Sequence, residues 1–159
     1  MSAVLTTVSF AAFEKINSYT DSTFDDVPDN AWYASEVKSS YELGLFGGKG
    51  EGKFDPSGRV TVAEAVTLAS RAASIYAGET IPETSGAKWY DMYLEYAKSK
   101  NFLSDGQFDN FDRPAKRHEV ASLFAKAMPD GYYTAKNDVD AVPDVFSQDS
   151  CYADVLMLY

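Results

Sequence analysis

The chain has 159 residues, 45% of them hydrophobic, with 24 acidic residues against 14 basic ones and a formal net charge of −10. That balance argues against nucleic acid, whose affinity comes from Lys and Arg neutralising phosphates, and against adhesion to an anionic membrane. One Cys and one His exclude an internal disulfide and His-rich zinc sites, and no stretch approaches the roughly 20 apolar residues that span a bilayer.

Residues 1–21 open with the apolar run MSAVLTTVSFAAF, carry small residues at Ala11-Ala12, and then turn polar. The segment reads as the remnant of a secretory signal peptide without its basic start, or as a disordered N-terminal stretch. The first unit follows over 22–78. Trp32-Tyr33 and Val37 predict a helix over 31–43, closed by Gly44 in the left-handed conformation, after which Leu45-Phe46 re-enter the core. The stretch Gly47 to Lys53 imitates a phosphate-binding loop, but Phe54 stands where a Ser or Thr hydroxyl would reach magnesium. Asp55-Pro56-Ser57-Gly58 is then turn chemistry rather than a helix start. The glycines therefore serve tight geometry between two helices, and Phe54 is expected to plug the core. Thr61-Val62-Ala63-Glu64 is a capping box that opens a helix over 61–76, with Leu68, Ala69 and Ala72 on one face.

The same order returns in a second unit over 79–128, after a linker GETIPETSGA. Trp89-Tyr90 and Leu94 predict a helix over 88–100, with Asn101 opposite Gly44 and Phe102-Leu103 opposite Leu45-Phe46. Trp89 and Phe111 keep the spacing of Trp32 and Phe54. A helix over 116–127 follows Pro114, with Glu119, Leu123, Phe124 and Ala127 in pattern and Lys116 in place of the capping Thr. Over 129–159 a linker leads to AVPDVFSQDSCYADVLMLY, an echo of FDDVPDNAWYASEV. This third copy holds a helix over 150–159 and stops at Tyr159, so its loop and second helix are missing. Leu156, Met157 and Leu158 are expected partly exposed.

These residues resemble S-layer homology repeats: Phe24-Asp25-Asp26-Val27, Trp32, Gly44-Leu45, Phe54-Asp55-Pro56 and Thr61-x-Ala63-Glu64 in copy one. Copy two supplies Trp89, Phe111, Pro114 and Arg117-His118-Glu119, and copy three supplies Pro143-Asp144-Val145 and Tyr152-Ala153. The resemblance implies an all-α fold of helix–loop–helix repeats in a pseudo-threefold bundle, with the third repeat incomplete. It implies a non-catalytic module, secreted to the cell surface of a bacterium with a thick peptidoglycan wall. Grooves between repeats would bind secondary cell-wall polysaccharide, often pyruvylated, and a longer parent chain can carry cargo. In the family an Arg in the Thr-Arg-Ala-Glu stretch faces the acidic sugar. Arg117 matches it in copy two, with Lys116 and His118 beside it. Copy one has Val62 there and is expected to have lost its main anion contact, with Arg59 on the far side of the cap. Trp32 and Trp89 are candidates for stacking on sugars, against packing in the core. Asp26, Asp91 and Asp144 are candidates for sugar hydroxyls, against helix capping.

Two other classes compete. A calcium-dependent, dockerin-like interaction module would use the carboxylate-rich DGQFDNFDRPAK from Asp105. However, Asn110 replaces the turn Gly and Lys116 sits where a bidentate Glu is needed. An enzyme acting through paired carboxylates has no acid in an evident apolar pocket. No catalytic residue, metal or cofactor is expected.

Overall fold

A helix leaves its first N–H and last C=O groups without intrahelical partners, so its ends fall where something else can take them. The computed structural model describes residues 13–83, 85–134, 137, 139 and 141–158, and among these it is all-α. Its helices are α1 (Ala34–Glu42), α2 (Val62–Ala77), α3 (Asp91–Ser99), α4 (Arg117–Ala127) and α5 (Tyr152–Leu156). Each lies within a predicted helix or one residue past it. α1 and α3 start later than expected because their Trp-Tyr openings sit in the turn before the helix, and α5 starts later because Ser150 and Cys151 are in a turn.

The caps follow the sequence. At α2 the Thr61 hydroxyl accepts from Glu64 N at 3.2 Å, and the Glu64 carboxylate accepts from Thr61 N at 2.8 Å. At α4 only half of this box exists. Glu119 accepts from Lys116 N at 2.8 Å, but an ammonium has no lone pair to return the bond. Gly44 (φ 74°) and Asn101 (φ 63°) take the left-handed position after α1 and α3.

α2 is the axis of the packing. Val62, Ala65, Val66, Ala69 and Ala73 on α2 meet Tyr96 and Ala97 of α3, Leu123 of α4 and the re-entrant pair Phe102-Leu103. The alanines let the backbones approach closely. The second helix of one copy packs on the first helix of the next, α2 on α3 and α4 on α5. Copy one keeps an aromatic core of its own. Phe24 is buried among the rings of Tyr41, Phe54 and Phe46, with centroids at 5.5, 5.9 and 6.2 Å. Phe54 thus fills the place expected of it. A third cluster joins Val142, Val145 and Val155 to Ala121 of α4. Met157 and Leu158 are exposed and Leu156 is half-buried.

Two expectations change. Trp32 and Trp89 are not core residues: they are 88% and 59% exposed. The Tyr that follows each turns inward instead, Tyr90 buried and Tyr33 half-buried. The stretch 13–21 is not disordered either. Ile16 N and Asn17 N both donate to Glu42 O, at 2.7 and 3.1 Å, and Lys15 pairs with the Glu42 carboxylate at 2.7 Å. This chain segment takes up a carbonyl at the end of α1. The signal-peptide reading rests on residues 1–12, which lie outside the described residues.

Two predictions follow from these contacts. Gly48 has φ 83°, and a Cβ there would collide with the Phe24 ring and the Lys53 carbonyl. Gly48→Ala should cost about 2 kcal/mol or more from left-handed strain and overpacking, read as a lower melting temperature. The second concerns pH. The Arg113 guanidinium holds the Glu119 carboxyl down to about 2, from an ordinary value of 4.5. A depressed folded-state pKa gives stability that is present above 4.5 and lost as pH falls towards 2. Acid unfolding should set in across that window. Glu119→Gln should lower the melting temperature at pH 7 and flatten its fall between pH 4.5 and 2.

Candidate functional site

The site begins with a joint between copies. Val62 N and Ala63 N, the opening donors of α2, reach Arg113 O at 3.0 Å and Phe111 O at 2.8 Å. Ala115 N returns a bond to Val60 O at 2.8 Å. Orphan N–H groups of a helix in copy one are thus satisfied by the Phe-Asp-Arg-Pro turn of copy two. Val62 is fully buried here, because the residue at this position lies inside the joint rather than in a groove.

Copy one's own Phe-Asp-Pro turn is held from the other side. Asp26 accepts from Phe54 N and Asp55 N, each at 2.8 Å. The Phe54 bond is the main reason its carboxyl titrates below its ordinary value. Asp26 therefore braces a turn, where a helix cap was expected. Asp91 likewise closes the turn ahead of α3, accepting from Lys88 N at 2.9 Å.

Between this turn, α2 and the approach to α3 lies a groove of about 640 Å³. Phe46, Phe54, Val60 and Leu68 give it apolar walls, and Trp89 stands at its edge. Its charged lining is Lys49, Arg59 and Arg71 against Asp55 and Glu64. Lys49 is paired with Glu64; burial opposes the charge of that carboxylate, but the Lys49 hydrogen bond and the Thr61 amide prevail and lower its pKa. Arg71 is committed to the Tyr93 hydroxyl at 2.9 Å and Leu45 O at 3.2 Å. Arg59 has no ion pair among the described residues. The turn at Asp55 (φ 61°), with Gly58 N donating to Asp55 O at 3.0 Å, folds Arg59 back into the groove. Copy one, expected to have lost its main anion contact at Val62, thus has Arg59 lining the groove. Arg59 was missed because alignment at Val62 fixes a position along the chain but not the direction of the turn before it.

A second groove of about 360 Å³ lies between copies two and three. It brings together Arg117, His118 and Asp144 over Ala121, Val142, Val145, Val155 and Leu158. Arg117 and His118 are exposed at the start of α4, and Arg117 has no ion pair among the described residues. Lys116 is exposed but outside that lining. Arg113, of the same basic run, is withdrawn: its guanidinium grips Glu119 at 2.7 and 2.9 Å. Trp32 lies apart from both grooves, edge-on to Tyr33 at 5.5 Å. In the calcium-like stretch, Asp105, Asp109 and Asp112 turn to three different cations, Lys98, Arg113 and Lys88, at 2.5, 3.7 and 3.4 Å.

Residues 23–66 match the family model of the S-layer homology domain. A cell surface protein of Thermoanaerobacter kivui is 43% identical over 51 residues, which is 32% of this chain and 7% of that protein. A surface-layer 125 kDa protein of Lysinibacillus sphaericus is 25% identical over 134 residues, 79% of this chain and 11% of that protein. The chain thus spans only a small part of the curated relatives it matches. No solved structure gives a significant match. Residues 23–66 are thus similar to the S-layer homology domain, and the motif order and the helical packing between copies accord with that likeness.

Proposed function

We propose that the chain is a non-catalytic module that anchors a longer parent protein by binding an acidic secondary cell-wall polysaccharide in the grooves between its copies. The family and both relatives are of the bacterial cell surface. The observation that carries the finer reading is the charge of the larger groove. In a chain of net charge −10, three cations line it against two carboxylates, and Arg59 is left without a partner among the described residues. A guanidinium fork suits a carboxylate, such as that of a pyruvyl group or an acidic sugar. Trp89 offers an indole face at the edge of the groove, fit to cover the C–H face of a sugar ring. Arg117 and His118 give the smaller groove the same character.

The test is a binding isotherm on wall sacculi, with and without chemical removal of the secondary polysaccharide. A charge-assisted hydrogen bond is worth roughly 1.5–3 kcal/mol. Arg59→Gln and Arg117→Ala should each weaken binding about ten- to hundredfold, with helicity unchanged by circular dichroism. Lys at either position should recover only part of the loss. Retention that survives removal of the polysaccharide, or wild-type affinity in both folded variants, overturns the reading.

A further inference from the structure

The larger groove has one feature that charge does not explain. Thr67 of α2 lines it, is 5% exposed, and its hydroxyl oxygen is buried with no hydrogen-bond partner. A buried hydroxyl without a partner loses its hydration for nothing in return. The repeat does not impose that loss. Aligning the capping positions Thr61 and Lys116 puts Thr67 opposite Ser122. Ser122 is also buried, but its hydroxyl donates to the Asp154 carboxylate on the first helix of the next copy. Aligning Tyr90 with Tyr152 puts Met92 opposite Asp154. The seam between copies two and three therefore satisfies its hydroxyl, while the corresponding position at the seam between copies one and two offers a thioether.

Resting on the anchoring reading above, we propose that Thr67 is the specificity-determining residue of the larger groove: it supplies a hydrogen bond to an uncharged sugar hydroxyl of the polymer unit whose carboxylate Arg59 holds. Thr in a helix divides between two χ1 wells, so a change of χ1 moves the hydroxyl of this groove-lining residue without movement of the backbone. Arg59 recognises charge, which any acidic polymer carries. A hydrogen bond from a buried group recognises a hydroxyl at one place on the ring, since a ligand that lacks it leaves the group unpaired.

The experiment compares Thr67→Val, Thr67→Ser and Arg59→Gln, on sacculi bearing the intact polysaccharide and in the free chain by thermal melting. Val keeps the shape and removes the hydroxyl. Thr67→Val should weaken binding about five- to tenfold while raising the melting temperature of the free chain, because an unsatisfied polar group has gone. Thr67→Ser should restore most of the affinity. A side chain with a merely structural role would move melting and binding in the same direction. Wild-type binding by Thr67→Val beside weakened binding by Arg59→Gln overturns the role of Thr67 and leaves the groove reading standing. Wild-type binding by both overturns the two together.

Discussion

The arrangement of this chain depends on the orphan N–H groups at the start of α2. Thr61 of the same copy caps Glu64 N, but the partners of Val62 N and Ala63 N come from Arg113 and Phe111 of the next copy, and Ala115 answers with a bond to Val60. Buried backbone donors must be paired, so copy one cannot bury the N-terminus of α2 without copy two beside it. That requirement fixes the register between copies to within a residue. It also seals Val62 in the interior and sets Arg113 facing Glu119. The Arg113 guanidinium holds Glu119 while its carbonyl holds Val62. One residue thus ties the start of α4 to the start of α2.

The grooves are by-products of this joint. Once the second helix of one copy is docked on the first helix of the next, the turn before the second helix overhangs the seam. In copy one that overhang carries Arg59, and the Asp26 carboxylate braces it through the amides of Phe54 and Asp55. Positive charge at a helix start opposes the macrodipole, which makes Lys116 and Arg117 costly neighbours for α4. Glu119 offsets part of that cost, as the first-turn acid and as the acceptor for Lys116 N. Arg117 is left without an ion pair among the described residues.

The helices were legible in the chain because their signals are local: a capping box at Thr61, left-handed closures at Gly44 and Asn101, and apolar residues at helical spacing. The repeat was legible for the same reason, since Trp32 and Phe54 recur as Trp89 and Phe111. What could not be read was direction. Trp-Tyr announces an aromatic entering a core, but which ring enters depends on the backbone turn at that pair. Here the Tyr goes in and the Trp stays out. Arg59 is a similar case. Its neighbours Asp55 and Gly58 mark a turn, yet only the closed turn shows that its side chain lines the groove. The N-terminal segment was misjudged at 13–21 because its anchor is a backbone carbonyl, Glu42 O, and carbonyls leave no trace in composition.

Divergence between the copies then follows a physical rule. Each copy buries a hydroxyl at the same place in its second helix, Thr67 in one and Ser122 in the other, and each must find a partner or bear the cost of going without. At the α4–α5 seam Asp154 serves both Ser122 and Lys126, the ammonium at 2.9 Å, so polar groups are consumed in holding the copies together. At the α2–α3 seam Met92 stands opposite Asp154, Arg71 turns to the Tyr93 hydroxyl instead, and the Thr67 hydroxyl is left over. By the alignment of the copies, a carboxylate at the Met92 position is the counterpart of the one that partners Ser122. It would also place a negative charge beside a groove whose cations are suited to an anion. The hydroxyl left unsatisfied lies on a residue that lines the larger, cation-lined groove.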